Sequence, residues 1–330
     1  MNTINWYPGH MARARRLLSD QLSRTDLVLE ICDARLPFSS RNPDLDSMLN
    51  GKRRILLMNK ADLADPEMVN RWLVFFRSRG ETALGIDCRR LKAEDMIRLI
   101  ERETRETAER AAQRGYRKTI RAVVVGVPNV GKSTFINRLR GKGIAATGDK
   151  PGVTRSNQWV RISPWLELLD TPGLLWPRLE DQKAAQRLCY IGTVRDEIIS
   201  QEELTILLLE DLAAVRPDSL KSRFRIENPA LSGPELLDAL CRGRGFLLKG
   251  GRLDYDRACA AVLDEFRAGK LGRVTMEIPP TEHDESAGMP HEKARTEGPG
   301  MPERTPTAEG EVDGFAENQP GTACAAADDI

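Results

Sequence analysis

The chain has 330 residues and near-balanced charge, with 50 Lys and Arg against 49 Asp and Glu for a formal net of +1. That length accommodates a large domain beside a smaller one, each with a core of its own. Six scattered cysteines, with no C-x-x-C and no histidine nearby at ligand spacing, read as reduced thiols, mostly small core residues, rather than a disulfide framework or a metal site. No apolar run approaches the roughly 20 residues that cross a bilayer, and Met1-Asn2-Thr3-Ile4-Asn5 has no signal-peptide pattern, so a cytoplasmic protein with no membrane partner is expected. The charge is unevenly placed. Residues 281–330 carry three Lys or Arg and twelve Asp or Glu, a net of −9, which leaves +10 on residues 1–280. A basic body suits a polyanionic partner, and a surplus of that size is also ordinary for a soluble protein.

In chain order, Trp6-Tyr7-Pro8-Gly9-His10 reads as a compact turn, followed by a helix over 11–23. Leu17, Leu18 and Leu22 are expected inward, with Arg13, Arg15 and Arg16 outward as a solvated face or a phosphate contact. A strand over 27–32 ends at Asp33-Ala34-Arg35-Leu36-Pro37, and a polar loop over 39–43 leads to a short helix near 45–49. The run 55–58 reads as a buried parallel strand ending at Asn59-Lys60-Ala61-Asp62. That is N-K-x-D. Its aspartate, Asp62, accepts from the ring N1–H and the 2-amino group of guanine, a donor pair that adenine lacks, while Asn59 and Lys60 brace the ring and the loops. At a strand's carboxyl end the motif lies where open α/β sheets bind ligands. A helix over 66–79 carrying Trp72, Phe75 and Phe76 leads to a strand over 83–86 and then Asp87-Cys88. A charged helix over 93–113 follows, its apolar stripe expected at Met96, Ile97, Ile100 and Ala108.

The apolar run 122–125 then opens onto Gly126-Val127-Pro128-Asn129-Val130-Gly131-Lys132-Ser133-Thr134, which fits G-x-x-x-x-G-K-[ST]. Such a loop turns its backbone amides toward phosphates and presents the positive N-terminus of the next helix. Lys132 is expected at the β- and γ-phosphates, Ser133 on Mg²⁺ and Thr134 near the α-phosphate. Beyond it, Lys150-Pro151-Gly152-Val153-Thr154 brings Thr154 within reach of the metal. Strands over 158–162 and 166–169 lead to Asp170-Thr171-Pro172-Gly173, a D-x-x-G with Asp170 near the metal and the Gly173 amide on the γ-phosphate. From 180 the pattern turns helical, over 182–193, 202–215, 234–241 and 255–267. Arg242, Arg244, Lys249 and Arg252 gather around glycines there, as an RNA-backbone contact or a solvated turn. From 279 the chain lacks apolar periodicity and is expected to be disordered.

The order is base-recognition loop, phosphate loop, threonine loop, D-x-x-G. Closing the usual GTPase order into a circle and cutting it after D-x-x-G yields this one, so an α/β, circularly permuted P-loop GTPase domain is expected over 1–179. A C-terminal all-α domain is expected over 180–278, its basic loop a candidate RNA contact, and a disordered acidic tail over 279–330. Together with Trp6-Tyr7-Pro8-Gly9-His10-Met11, Asp33-Ala34-Arg35-Leu36-Pro37, Ser40-Arg41-Asn42-Pro43, Asp149-Lys150-Pro151-Gly152 and Leu174-Leu175-Trp176-Pro177, these motifs resemble the ribosome biogenesis GTPase A family, the YlqF type, over residues 4–278.

The resemblance implies a GTPase that binds a late assembly intermediate of the large ribosomal subunit, contacts its rRNA and leaves after hydrolysis; it is expected as a monomer. It also implies the ribosome as the partner of the helical domain, and potassium held partly by Asn129. Where other GTPases place a glutamine after D-x-x-G, this chain has Leu174, which neither donates nor accepts. Either another group orients the attacking water, or turnover is very slow until a partner binds. The resemblance points to His10 as the catalytic residue. Asp87-Cys88-Arg89 departs from the family, which usually has a serine in the loop beside guanine O6. A function of another class also fits: a GTP-switched RNA-binding or scaffolding module whose hydrolysis is incidental.

Overall fold

The computed structural model describes residues 8–43, 45–49, 51–141, 158–171, 181–193 and 199–280, all within one unit, Met1–Ala287. Its sheet-forming half runs α1 (Pro8–Ser23), β1 (Leu27–Asp33), α2 (Leu45–Met48), β2 (Arg53–Asn59), α3 (Pro66–Ser78), β3 (Thr82–Ile86), α4 (Ala93–Gln113), β4 (Ile120–Val125), α5 (Lys132–Arg140), β5 (Gln158–Ser163) and β6 (Leu166–Asp170). Helices α6 (Gln182–Tyr190), α7 (Gln201–Val215), α8 (Pro217–Phe224), α9 (Gly233–Arg244) and α10 (Tyr255–Arg267) follow. Of the expected acidic tail only Pro279 and Pro280 are described.

The six strands form one sheet in the order β3-β2-β1-β4-β6-β5, parallel except for β5. β1 is buried along its whole length, as a strand covered on both faces must be. From β1 the chain steps outward to β2 and β3, then returns to place β4 on β1's other side. The strand order therefore reverses between β1 and β4, and ligands of doubly wound sheets bind at the carboxyl ends beside such a reversal. The register pairs Asp33 with Asn59, so the ends of β1 and β2 lie level at that edge.

Several local expectations change. α1 starts at Pro8 rather than residue 11, since proline at a helix start has its φ preset and lacks only an amide that would go unpaired there. Pro8, Gly9 and His10 thus belong to a helical turn. Leu18 and Leu22, four residues apart, are buried, whereas Leu17 points to solvent. On α4 the buried side is Met96, Leu99, Ile100, Thr104 and Ala111; Ala108 is exposed. The Thr104 hydroxyl satisfies itself on the Ile100 carbonyl at 2.7 Å. α6 stops at Tyr190 because the chain turns left-handed at Gly192 (φ 70°). α8 was not expected. It begins with Pro217 in its first turn directly after α7.

One continuous core links the sheet (Leu29, Ile31, Val124) to the helical half (Leu188, Tyr190, Leu208, Leu237, Phe266). After α10, residues 271–280 form an extended strap across the segments that follow β1 and β2. The Val274 amide donates to the Leu63 carbonyl at 3.0 Å and the Met276 amide to the Arg35 carbonyl at 2.9 Å. The Trp72 indole donates to the Glu277 carbonyl at 3.1 Å. The buried Glu277 carboxylate accepts from the Phe38 and Ser39 amides at 2.7 and 3.1 Å and pairs with Arg187 at 3.4 Å. Burial raises that carboxyl above its ordinary range despite those partners.

Candidate guanine nucleotide site

The base-recognition and phosphate loops meet through Asn59. Its Nδ2 donates to the Val130 carbonyl at 2.6 Å, and its Oδ1 accepts from the Cys88 amide at 3.0 Å. One side chain thereby fixes three loops. A Cβ at Gly131 (φ 102°) would run into Asn59 Nδ2, so only glycine permits this approach. Lys60, itself left-handed at φ 61°, donates Nζ to the Asn129 carbonyl at 2.8 Å and pairs with Asp33 at 3.1 Å. Asp62 is half-buried. Its Oδ2 lies 3.5 Å from Arg89 Nη2, and its buried Oδ1 has no hydrogen-bond partner among the described residues. A buried acceptor left without a donor is costly, and guanine supplies a matching donor pair.

Asp87 closes its own loop, accepting from the Arg89 amide at 2.9 Å. The Cys88 thiol is buried, and burial together with the Asp87 charge pushes it up to about 12. Cys88 therefore contributes its backbone to the site and its side chain to the core.

Lys132 opens α5, and its Nζ donates to the Val127 carbonyl at 3.0 Å. Burial lowers it to about 8, against the opposing pull of Asp170. A phosphate oxygen supplies the charged partner that a carbonyl cannot. Ser133 Oγ donates to Asp170 Oδ2 at 3.0 Å, while the buried Asp170 Oδ1 has no hydrogen-bond partner among the described residues. Burial raises the Asp170 carboxyl, although the Ser133 bond and Lys132 oppose it. An oxygen-only donor set with one unsatisfied carboxylate oxygen fits Mg²⁺, which when bound neutralises charge between the β- and γ-phosphates. Val130 is fully buried beneath the loop, and Thr134 lies in the first turn of α5. The side chain of His10, and Thr154 and Gly173 entirely, lie outside the described residues.

Three contributors, Asp33, Gly192 and Thr193, had no role assigned from the sequence. Asp33, fully buried at the end of β1, is held by Arg35 at 2.8 Å and Lys60 at 3.1 Å; burial would raise its carboxyl, but those charges hold it far below the carboxylate range. Gly192 and Thr193 of the helical half bond to the phosphate loop itself. Asn129 Nδ2 donates to the Gly192 carbonyl at 2.5 Å, and Thr193 Oγ1 to the Pro128 carbonyl at 3.2 Å.

The loop after β2 meets the loop after β4, and the first precedes the second along the chain, which is the motif order of a circularly permuted P-loop GTPase. Residues 121–227 match the 50S ribosome-binding GTPase family. Ribosome biogenesis GTPase A of Bacillus cereus is 41% identical over 278 residues, covering 84% of this chain and 94% of that protein. The chain therefore belongs to the ribosome biogenesis GTPase A family, and it is a GTPase of ribosome biogenesis. Mitochondrial ribosome-associated GTPase 1 of Xenopus tropicalis is 30% identical, covering 83% of this chain and 94% of that protein. Among solved structures, GNP-bound YlqF from T. maritima superposes with a TM-score of 0.58 at 28% identity, covering 81% of this chain and 98% of that one. A GDP-bound YlqF structure gives a TM-score of 0.60, also at 28% identity, covering 80% and 99%.

Proposed function

We propose that this GTPase acts late in maturation of the large ribosomal subunit, binding the pre-ribosomal particle and its rRNA in the GTP state and leaving after hydrolysis. The observation that carries this reading is the direct bonding of the phosphate loop to the helical half, Asn129 to Gly192 and Pro128 to Thr193. A change at the phosphates is thereby felt by the part of the chain, residues 180–278, that we assign to particle binding. The 50S-binding description of the matched family and the ribosome-associated relative support that partner. No helix of the described residues is long and apolar enough to cross a membrane. We place the protein in the cytoplasm as a monomer.

In this reading Asp62 selects guanine, Asn59 and Lys60 brace its loop, and Asp87 and Cys88 shape the wall beside it. Residues 129–134 and Gly173 hold the phosphates, while Ser133, Thr154 and Asp170 hold Mg²⁺. Potassium is assigned to Asn129: with Nδ2 engaged by Gly192, its Oδ1 is the side-chain atom with ligand chemistry. His10 orients the attacking water when the particle is bound, filling the gap left by Leu174.

The test is GTP hydrolysis with and without large-subunit particles, paired with co-sedimentation under a GTP analogue and under GDP. Strong stimulation and analogue-dependent binding are expected. Binding without stimulation would instead favour a GTP-switched RNA-binding or scaffolding module. His10→Ala should lose most of the stimulated single-turnover rate with GTP and particle affinities intact, and a near-normal rate removes His10 from the mechanism.

A further inference from the structure

Two chains of polar contacts leave the C-terminal end of α10 and converge on one residue of the phosphate loop. In the first, Arg267 donates Nε to the Tyr190 carbonyl at 3.1 Å and Nη2 to the Cys189 carbonyl at 3.2 Å. These carbonyls end α6 and fix the turn in which Gly192 accepts from Asn129 Nδ2 at 2.5 Å. In the second, Arg35 Nη1 donates to the Phe266 carbonyl at 2.7 Å, and its guanidinium lies over the Phe266 ring at 4.9 Å. Arg35 holds Asp33, Asp33 pairs with Lys60, and Lys60 donates to the Asn129 carbonyl at 2.8 Å. Both the side chain and the main chain of Asn129 are thus set by consecutive residues, Phe266 and Arg267.

Asn129 is left-handed at φ 63°, a conformation that asparagine tolerates better than most residues but that stays less favourable than the right-handed one, so its contacts help to hold it there. Loosening those contacts lets the loop relax away from its phosphate-binding form. We propose that Arg267 is a positioning residue for the phosphate loop, and that the seating of α10 against the sheet sets the rate of nucleotide release. Where faster release lowers nucleotide affinity, reciprocity requires that nucleotide binding in turn favours the seating of α10. A role confined to capping α6 would affect folding stability and leave release unchanged.

The inference rests on the phosphate-loop assignment of Asn129, which the experiment checks separately. Release of a fluorescent GDP analogue is measured on the full chain for wild type, Arg267→Ala, Arg267→Lys, Asn129→Ala and the Arg267→Ala/Asn129→Ala double variant, with thermal midpoints alongside. Arg267→Ala should speed release by at least about fivefold, the lower end for coupled sites. Arg267→Lys, which keeps a donor and the charge, should recover part of it, and the double variant should release no faster than Asn129→Ala alone. A lowered midpoint with unchanged release, or multiplying effects in the double variant, overturns the proposal. Unchanged release in Asn129→Ala overturns the phosphate-loop assignment instead. Should Arg267→Ala fail to fold, Gly192→Ala tests the same junction, since its Cβ would lie 3.3 Å from Arg267 Nε and 3.4 Å from Asn129 Nδ2. Accelerated release is again expected there, and normal release sinks the idea.

Discussion

The Asn59 side-chain amide donates to the Val130 carbonyl at 2.6 Å, which ties the end of β2 to the phosphate loop. Removing it leaves that carbonyl and the Cys88 amide without their partner. Asn59→Ala should cost about 1–3 kcal/mol, the desolvation penalty of an orphaned buried group. Thermal unfolding and GTP titration should both weaken, and an unchanged midpoint would contradict the bracing role.

Gly131→Ala perturbs the same junction from the other side. An alanine at φ 102° is strained by roughly 1–2 kcal/mol, and its methyl would displace Asn59 Nδ2. GTP affinity should fall by at least about tenfold, the equivalent of about 1.4 kcal/mol. Wild-type affinity by calorimetry would mean that the loops do not need this close approach.

Asp62→Asn replaces an acceptor with a side chain that also donates. GTP binding should weaken by about 1.5–3 kcal/mol, the range for hydrogen bonds to a charged group, while xanthosine triphosphate, with a carbonyl in place of the 2-amino group, should bind better. Competition titration of the two nucleotides reads both changes.

Asp33→Asn removes the counter-charge of the buried Arg35 and of Lys60, so it should cost about 3–5 kcal/mol at neutral pH, as breaking a buried pair does. The sign with pH follows from the lowered carboxyl. Its ordinary value is 3.8 and its folded value is lower, so its stabilisation is fully present above 3.8 and is lost as pH falls toward the folded value. Denaturant melts should show the gap between wild type and variant narrowing below pH 3.8; a constant gap would refute the pairing.

A truncation after Pro280 should keep both thermal midpoint and GTP affinity, because the strap contacts through Glu277 remain. Ending the chain at Lys270 should lower both, since it strips partners from Arg35, Phe38, Leu63 and Trp72. Equal behaviour of the two truncations in a melting experiment would show that the strap holds nothing.

The nucleotide-binding motifs were legible in the sequence because each is a short run whose spacing is dictated by a local task, as in Gly126 to Thr134 or Asn59 to Asp62. Strand and helix cores followed from periodicity, with boundaries off by a few residues. What escaped depends on registers that no local pattern records. Asp33 meets Lys60 only because β1 and β2 pair with Asp33 level with Asn59. Gly192 fell inside the helix expected over 182–193, and nothing nearby announced that the helix would stop short of it or that its carbonyl would hold Asn129. The stripe on α4 was misplaced by assigning Ala108 inward, where the buried row instead passes through the self-bonded Thr104. The strap at 271–280 has no periodicity, being held by single pairings to residues more than 200 positions earlier.

That strap has a consequence for how the protein is made. The segment after β1 emerges early from the synthesising ribosome, yet the Phe38 amide waits for Glu277, 239 residues later, for its acceptor. The Trp72 indole waits across 205 residues. Contacts of such separation form late, because the chain-closure entropy precedes the gain. A nascent chain therefore cannot seat the segments that follow β1 and β2 in their final packing until residue 277 has been translated, and that seating becomes a certificate that the folded part of the polypeptide has been finished.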